Sequence, residues 1–363
     1  MSLKGIRILQ LIDTLDPGGA ERMAVNLANS FQERGVENLL VVSRSQGDLG
    51  KLVENQNSVR LLGKKKTVDQ KAFRKLLNLI DEFKPHLIHA HGTSVYWAAG
   101  VKLFRWKIKI VWHDHLGISE DVILKNPRKE LNFFAWLIDF IITANESTRD
   151  FWIKNRLKPT NSVQYLPNFP HLKVQIKPKP DVFTFLHLAN FRTEKGQLNL
   201  LKASKILKQR GSKFKVRMVG QAVDKQWKQE VEKETEISDL SKFVSVEGAV
   251  SDVAGLLSEV HAGLVASDRE GLPVALLEYG LASLPVISTK VGQCPEVLGN
   301  GEFGFVVDTS DFVGFADAMQ ELISNPGMGI ELGKKFNLQV KENYGEHQFF
   351  SGYEDILHKL VES

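Results

Sequence analysis

One cysteine, Cys294, stands in 363 residues, so no internal disulfide can form and the fold must be held by burial and hydrogen bonding. No stretch of 18 consecutive apolar residues occurs. The longest candidate, Leu131 to Ile142, is interrupted by Asn132 and Asp139. The chain opens on Met1 to Gly5 and a short apolar run, Ile6 to Ile12, that carries Arg7 and Gln10. That run is too short for a signal segment or a bilayer span. The expectation is a cytoplasmic protein, at most peripheral on the inner face of a membrane. A G-x-G-x-x-G after the first strand, a G-x-x-x-x-G-K-[ST] loop and a G-x-S-x-G elbow are all missing. Their absence disfavours a dinucleotide enzyme, a P-loop ATPase and an α/β-hydrolase. Internal repeats and low-complexity tracts are missing too.

What is present is a hydrophobic fraction of 43%, enough for real cores, in a chain long enough for two domains. The net charge of +4 is unevenly spread. Residues 1–172 hold 25 Lys and Arg against 17 Asp and Glu, a net of +8, and the remainder is −4. One half therefore suits an anionic partner. Nucleic acid is disfavoured because no recognition motif accompanies the charge.

Short apolar strands alternate with helical patterns in both halves. In the first half, Ile6–Ile12, Leu39–Val42, His86–His89, Ile108–Trp112 and Phe140–Thr143 read as strands. Ala20 to Arg34 reads as a helix ended by Gly35. In the second half the strand candidates are Phe183–Leu188, Val216–Val219, Val244–Glu247, Gly263–Val265, Pro285–Ser288 and Gly304–Val307. The proline-rich run from Leu166 to Pro180 suggests a linker near residue 175. The pattern predicts an α/β fold of two Rossmann-like domains with parallel sheets, and a ligand in a cleft at the carboxyl ends of the strands. The boundaries are 1–172 and 173–345, with a C-terminal helix over 346–363 that can cross back to the first domain.

The strongest local signal is Asp268 to Gly280, after a predicted strand. Glu270 and Glu278 lie eight residues apart there, and a carboxylate can accept two hydroxyl hydrogen bonds, which suits sugar and ribose diols. Gly292-Gln293-Cys294-Pro295-Glu296 is a glycine-bearing loop before a helix, as is Gly18-Gly19. Such loops let phosphate approach free backbone N–H groups. Arg192 and Lys195, between a strand end and a helix start, can neutralise a diphosphate without a metal. His89, His91, His113 and His115 form two H-x-H pairs with Asp114 beside them. No cysteine lies near and the spacing is permissive, so no metal is expected. His113, at a strand end, can instead hydrogen-bond a donor hydroxyl or phosphate.

The ordered series resembles the retaining GT-B glycosyltransferases of family 4. DPGGAERMAVNL (16–27) is similar to that family's first glycine loop and helix. HLIHAHG (86–92) and IVWHD (110–114) are similar to its acceptor-domain strands, and ANFRTEKG (189–196) to its diphosphate loop. Glu270 to Glu278 matches its E-x₇-E signature and GQCPE (292–296) its G-G-x-P-E loop. The resemblance implies two facing Rossmann-like domains, the second holding a UDP- or GDP-sugar and the first a glycan or lipid-linked acceptor. It implies hexosyl transfer in envelope polysaccharide synthesis without metal or other cofactor. It gives catalytic roles to His113, Lys195 and Glu270. Donor binding falls to Gly18, Gly19, Asn190, Arg192, Lys195, Glu270, Gly271, Leu272, Glu278 and Gly292. Two departures stand out. The family's usual arginine falls at Asn190, with Arg192 two residues later, and Gln293 replaces a glycine. A nucleotide-sugar epimerase of the same fold and a non-catalytic binding protein are the alternatives.

A basic and aromatic stretch from Val95 to Trp112 suggests an anionic membrane contact. Tyr96, Trp97, Phe104, Trp106 and Trp112 alternate there with Lys102, Arg105, Lys107 and Lys109. Lys71, Arg74 and Lys75, beside Phe73, Leu76 and Leu77, begin an amphipathic helix that extends the same character.

Overall fold

The computed structural model describes residues 5–115, 134–154, 158–172, 178–250 and 252–361. The first residues of the Leu131–Ile142 run, the Met1–Lys4 start and the centre of the proposed linker lie outside them. The chain divides into two compact units: residues 1–171 with 346–363, and residues 172–345.

The first unit is built on a parallel sheet. Its strands are β1 (Arg7–Thr14), β2 (Glu37–Ser45), β3 (Val59–Leu61), β4 (Leu87–His91), β5 (Lys109–Asp114), β6 (Phe140–Thr143) and β7 (Val163–Tyr165), in the order β3-β2-β1-β4-β5-β6-β7. The inner strands are buried along most of their length, which is why they read as mostly apolar runs, broken by the buried Gln10, His89 and His91, rather than as an alternation. Helices α1 (Gly19–Glu33), α2 (Gln70–Phe83), α3 (Val95–Phe104) and α4 (Glu146–Lys154) cover the faces. The Asp69 carboxylate caps α2 by accepting from Ala72 N at 3.1 Å.

The second unit repeats the plan with β8 (Phe183–Leu188), β9 (Phe214–Val219), β10 (Val244–Glu247), β11 (Ala262–Val265), β12 (Val286–Thr289) and β13 (Phe305–Val307), ordered β10-β9-β8-β11-β12-β13. Its helices are α5 (Gln197–Gln209), α6 (Lys225–Ile237), α7 (Val253–Ser258), α8 (Val274–Leu281), α9 (Cys294–Val297), α10 (Phe312–Ser324) and α11 (Pro326–Asn343). In both sheets the strand order reverses beside the first strand, between β1 and β4 and between β8 and β11. Loops leaving neighbouring strands diverge at such a point and open a crevice at their carboxyl ends.

Helix α12 (Glu346–Val361) follows the second unit in sequence but packs in the first. Phe349, Phe350, Tyr353, Ile356 and Leu357 are buried with Ile8, Met23, Leu27, Phe31, Val111 and Phe169. Arg34 stacks 4.0 Å above the Phe350 ring and donates to Glu346 Oε1 at 3.0 Å.

Candidate functional site

The crevice between β8 and β11 in the second unit gathers most of the predicted donor residues. After β8 the backbone passes through Asn190 and Arg192 into a short 3-10 turn, Thr193–Lys195, and reaches Gly196 at φ +68°. A side chain at Gly196 would sit 1.8 Å from Ala266 O, so only glycine lets this loop lie against the one after β11. Asp268 N donates to Glu194 O at 2.8 Å and ties the two loops together.

That approach brings Lys195 to Glu270 from 75 residues away. Lys195 Nζ lies 2.6 Å from Glu270 Oε1, and Ser267 Oγ donates to the same oxygen at 2.7 Å. The Glu270 side chain is 10% exposed and that of Lys195 22%, so the pair is shielded but reachable. Thr289 Oγ1 donates to Ser267 O at 2.5 Å and fixes the start of the loop. From the other side, Gly292 (φ +50°) presses against it. A Cβ there would meet Glu270 O and Gly271 O at 2.4 Å, and Gln293 N donates to Gly271 O at 2.9 Å. Gln293, where the resembled family has glycine, keeps this contact because only its backbone makes it.

Glu270 lies before α8 rather than in it. The helix begins at Val274, because Pro273 is held extended at its N-cap, and only Glu278 is helical. Glu278 is 5% exposed and Leu272 is buried. Next to Glu278, Tyr279 is fully buried and accepts from Leu188 N at 2.8 Å, which pins α8 to the end of β8. Asn190 accepts from Gln221 N at 3.1 Å through its side-chain oxygen and so braces the loop. Arg192 is 48% exposed, with Glu194 3.8 Å away. Cys294 is buried, and desolvation pushes its thiol up to about 12, which rules it out as a nucleophile at neutral pH.

Ser267, Gly196 and Thr289 were not singled out from the sequence. A serine three residues before Glu270 carries no local signal; only the turn after β11 folds it back on the carboxylate.

In the first unit, Gly18 is extended (φ −167°) and Gly19 starts α1. The Glu21 carboxylate lies over Gly18, 2.3 Å from where a Cβ would stand, while Gly19 faces open space. An anion at this helix end has to displace Glu21. Asp13, near the end of β1, accepts from Ser43 Oγ and Thr93 Oγ1 at 2.6 Å each and lies 3.4 Å from Lys64 Nζ. Those hydrogen bonds and the lysine charge outweigh desolvation and hold its carboxyl below the usual range.

His113 is fully buried at the end of β5 and stacks on Phe349, with ring centroids 5.9 Å apart. Its Nδ1 faces His89 Nε2 at 3.3 Å. Burial, with the neighbouring imidazoles adding to it, keeps His113 well below its ordinary pKa, so the ring is neutral. The basic and aromatic stretch divides in two. Trp112 is core, donating from Nε1 to Gly92 O at 2.9 Å, and Lys102 is paired with Asp139 at 2.6 Å. Leu103, Phe104, Trp106 and the more distant Trp136 are exposed. On α2, Leu76 is buried while Lys71, Arg74 and Lys75 face outward.

Comparison with known proteins places this geometry. Residues 17–172 match the family described as Glycosyltransferase Family 4, and residues 168–344 match Glycosyl transferases group 1. Among curated proteins, the chain is 26% identical over 295 residues to N-acetyl-alpha-D-glucosaminyl L-malate synthase of Bacillus anthracis, covering 78% of this chain and 75% of that one. It is 22% identical over 352 residues to the lipopolysaccharide core biosynthesis glycosyltransferase LpsD of Rhizobium meliloti, covering 95% and 96%. Among solved structures, Anabaena HepE in complex with UDP-glucose superposes with a TM-score of 0.81 at 17% identity, covering 98% of this chain and 100% of that one. Two successive family matches running from residue 17 to 344, on two parallel-sheet Rossmann-like lobes, lead to one conclusion: the chain belongs to the GT-B glycosyltransferases of the superfamily that joins group 1 and family 4, enzymes that move a sugar from a nucleotide-sugar donor to an acceptor.

Proposed function

We propose that this enzyme transfers a hexose-type sugar from a UDP- or GDP-sugar to a hydroxyl of a glycan or lipid-linked acceptor in envelope polysaccharide synthesis, with retention of anomeric configuration. The observation that carries the reading is the convergence of Lys195, Ser267 and Glu270 at the β8/β11 switch point. A cation next to a carboxylate is what a departing diphosphate beside sugar hydroxyls requires. Lys195 neutralises the diphosphate, with Arg192 at the exposed edge. Glu270 accepts from donor sugar hydroxyls and Glu278 from the ribose. Gly271, Leu272 and Gly292 form the backbone floor, and Asn190 braces the diphosphate loop. In the first unit, the acceptor domain, Gly18 and Gly19 offer backbone N–H groups at the start of α1, and His113 offers a ring nitrogen at the end of β5 for a hydroxyl or phosphate.

Retention follows from front-side attack. The bond from the anomeric carbon to the diphosphate oxygen breaks, and the bond to the acceptor oxygen forms on the same face. The acceptor proton passes to the leaving diphosphate. The protein then supplies position and charge rather than a base. The relatives support the substrate class: LpsD is named for lipopolysaccharide core biosynthesis, and CapM of Staphylococcus aureus for capsular polysaccharide biosynthesis.

Two experiments test this. Nucleotide release is measured with a panel of UDP- and GDP-sugars and acceptors, and product anomeric configuration is read by NMR. An inverted product, or donor conversion in buffer without acceptor as an epimerase gives, overturns the reading. No divalent ion is needed at the diphosphate, so a short assay in EDTA runs at the full rate; a strict Mg²⁺ or Mn²⁺ requirement refutes that part.

The acceptor side includes an anionic membrane surface. Exposed Phe104 and Trp106 beside Lys107, which lies 5.6 Å from the Trp106 ring, fit an interface of lipid phosphate and acyl chain. No described helix is long and apolar enough to cross a membrane.

A further inference from the structure

The carboxyl ends of β4 and β5 carry four imidazoles on one face of the sheet, and the donor chemistry uses only one. The strands run in register, with His89 opposite Val111 and His91 opposite His113. H-x-H in each strand therefore sends all four rings to the same side. His89, His91 and His113 are at most 1% exposed, and His115 is half-buried at the strand end. A ring nitrogen of each of His89, His91 and His113 lies within 4.8 Å of the other two. The His113 and His115 rings stack with centroids 3.8 Å apart.

We propose that this cluster is a metal site of the zinc class, with His89, His91 and His113 as ligands and His115 at its open edge. Three observations support it. First, a tetrahedral ion with Zn–N bonds of about 2.0–2.1 Å needs ligand nitrogens about 3.4 Å apart. His89 Nε2 and His113 Nδ1 are 3.3 Å apart, longer than a good imidazole hydrogen bond and equal to that edge.

Second, the outward nitrogens are held as metal-bound histidines are held. His89 Nδ1 meets Tyr353 OH at 2.9 Å, from the helix that returns to this unit. His91 Nε2 meets Gln10 Oε1 at 2.9 Å, the amide orientation in which that nitrogen donates while Nδ1 faces inward.

Third, the cluster is under-satisfied without an ion. His113 Nε2 and His115 Nδ1 are buried and have no hydrogen-bond partner among the described residues. Four neutral imidazoles carry four N–H donors and four acceptor nitrogens, and two of these eight atoms find no partner in the described structure. An ion takes the lone pairs of the inward nitrogens in place of the His89–His113 contact and the 2.9 Å His91 Nδ1–His115 Nε2 contact, and it leaves His113 Nε2 as it stands. Coordination through His113 Nδ1 also leaves Nε2 protonated and free, so the site orients that ring without consuming its unpartnered atom. The ligand chemistry, imidazole without thiolate or carboxylate, favours Zn²⁺, Co²⁺ or Ni²⁺ over Mg²⁺ or Ca²⁺. Such an ion orients the fold around His113. It is distinct from any ion on the donor diphosphate, and the proposal does not rest on the donor reading.

The test uses the full chain without a polyhistidine tag. After transfer to metal-free buffer it is titrated with Co²⁺, followed by visible spectroscopy, with bound metal counted by mass spectrometry. The expected result is about one Co²⁺ per chain with intense tetrahedral ligand-field bands, bleached by Zn²⁺. His91→Gln loses the bands. Tyr353→Phe keeps the ligands and weakens affinity by about 10- to 100-fold. His171→Gln, in the separate Glu33–His171–Glu346 group, changes neither stoichiometry nor spectrum. A wild-type protein that binds no Co²⁺, or gives only the weak octahedral spectrum, overturns the proposal. So does a tetrahedral site that disappears in His171→Gln. If His91→Gln does not fold, the wild-type spectrum and the Tyr353→Phe affinity still decide.

Discussion

Replacing Lys195 by alanine tests the donor site most directly, because its effects on folding and on rate separate. The ammonium sits 2.6 Å from Glu270 Oε1, so the substitution leaves a carboxylate that is 10% exposed without its cation. Exposed pairs contribute about 0–1 kcal/mol, and breaking a fully buried one costs about 3–5. Ser267 Oγ still donates to the same oxygen at 2.7 Å, so a loss of about 1–2 kcal/mol is expected. In a unit of this size that lowers the melting temperature by roughly 2–8 °C and leaves the protein folded. The rate falls further. A hydrogen bond to a charged group contributes about 1.5–3 kcal/mol. At 1.36 kcal/mol per decade, a bond that strengthens as negative charge develops on the diphosphate is worth roughly 10- to 150-fold in kcat.

Adding Glu270→Gln to Lys195→Ala removes the stranded charge. The double variant therefore melts above Lys195→Ala alone but does not regain turnover. Initial rates of nucleotide release at saturating donor, with melting curves on the same samples, give both quantities. A wild-type kcat in folded Lys195→Ala refutes the assignment. Recovery of kcat in the double variant reduces Lys195 to a structural partner of Glu270.

Glu278→Ala weakens donor binding by about 1–3 kcal/mol, with a smaller effect on kcat, and calorimetry that finds an unchanged affinity removes the ribose role. His187 is 1% exposed, and burial lowers its pKa to about 4 from 6.5, only partly offset by Leu264 O at 3.2 Å. Its stabilising effect is complete above the unfolded value of 6.5 and is lost as pH falls towards 4, at about 1.4 kcal/mol per pH unit. Denaturant melts of the wild type and His187→Gln at pH 7.5 and pH 5 check this; the variant is the less pH-dependent of the two, and parallel losses contradict it. Trp106→Ser with Lys107→Glu reduces co-sedimentation with anionic vesicles at low salt without lowering the melting temperature. A wild type that ignores such vesicles ends the membrane reading.

The sequence by itself determined the inner strands and their parallel character, while the three-residue edge strands β3 and β7 are too short and too exposed to carry a pattern. Runs such as Leu39–Val42 and Ile110–Trp112 are apolar at every position because both faces of a doubly covered sheet are buried, and that signal is local. Lys195 and Glu270 stand out for a related reason: each belongs to a loop next to a strand end, where chain order fixes the surroundings, and Glu278 stands out only by its spacing from Glu270. What only the tertiary structure decided is which distant groups meet. Glu270 takes Lys195 and Ser267 as partners because β8 and β11 are neighbours across the reversal of strand order, and because glycine at 196 and 292 lets three loops touch. The four histidines looked like two permissive pairs in the sequence. The in-register pairing of β4 with β5, and a helix that returns Tyr353 to His89 from 264 residues further along the chain, make them one buried cluster. Pattern along a chain reports burial and periodicity; register and strand order are properties of the assembled sheet, and they set the distances on which chemistry depends.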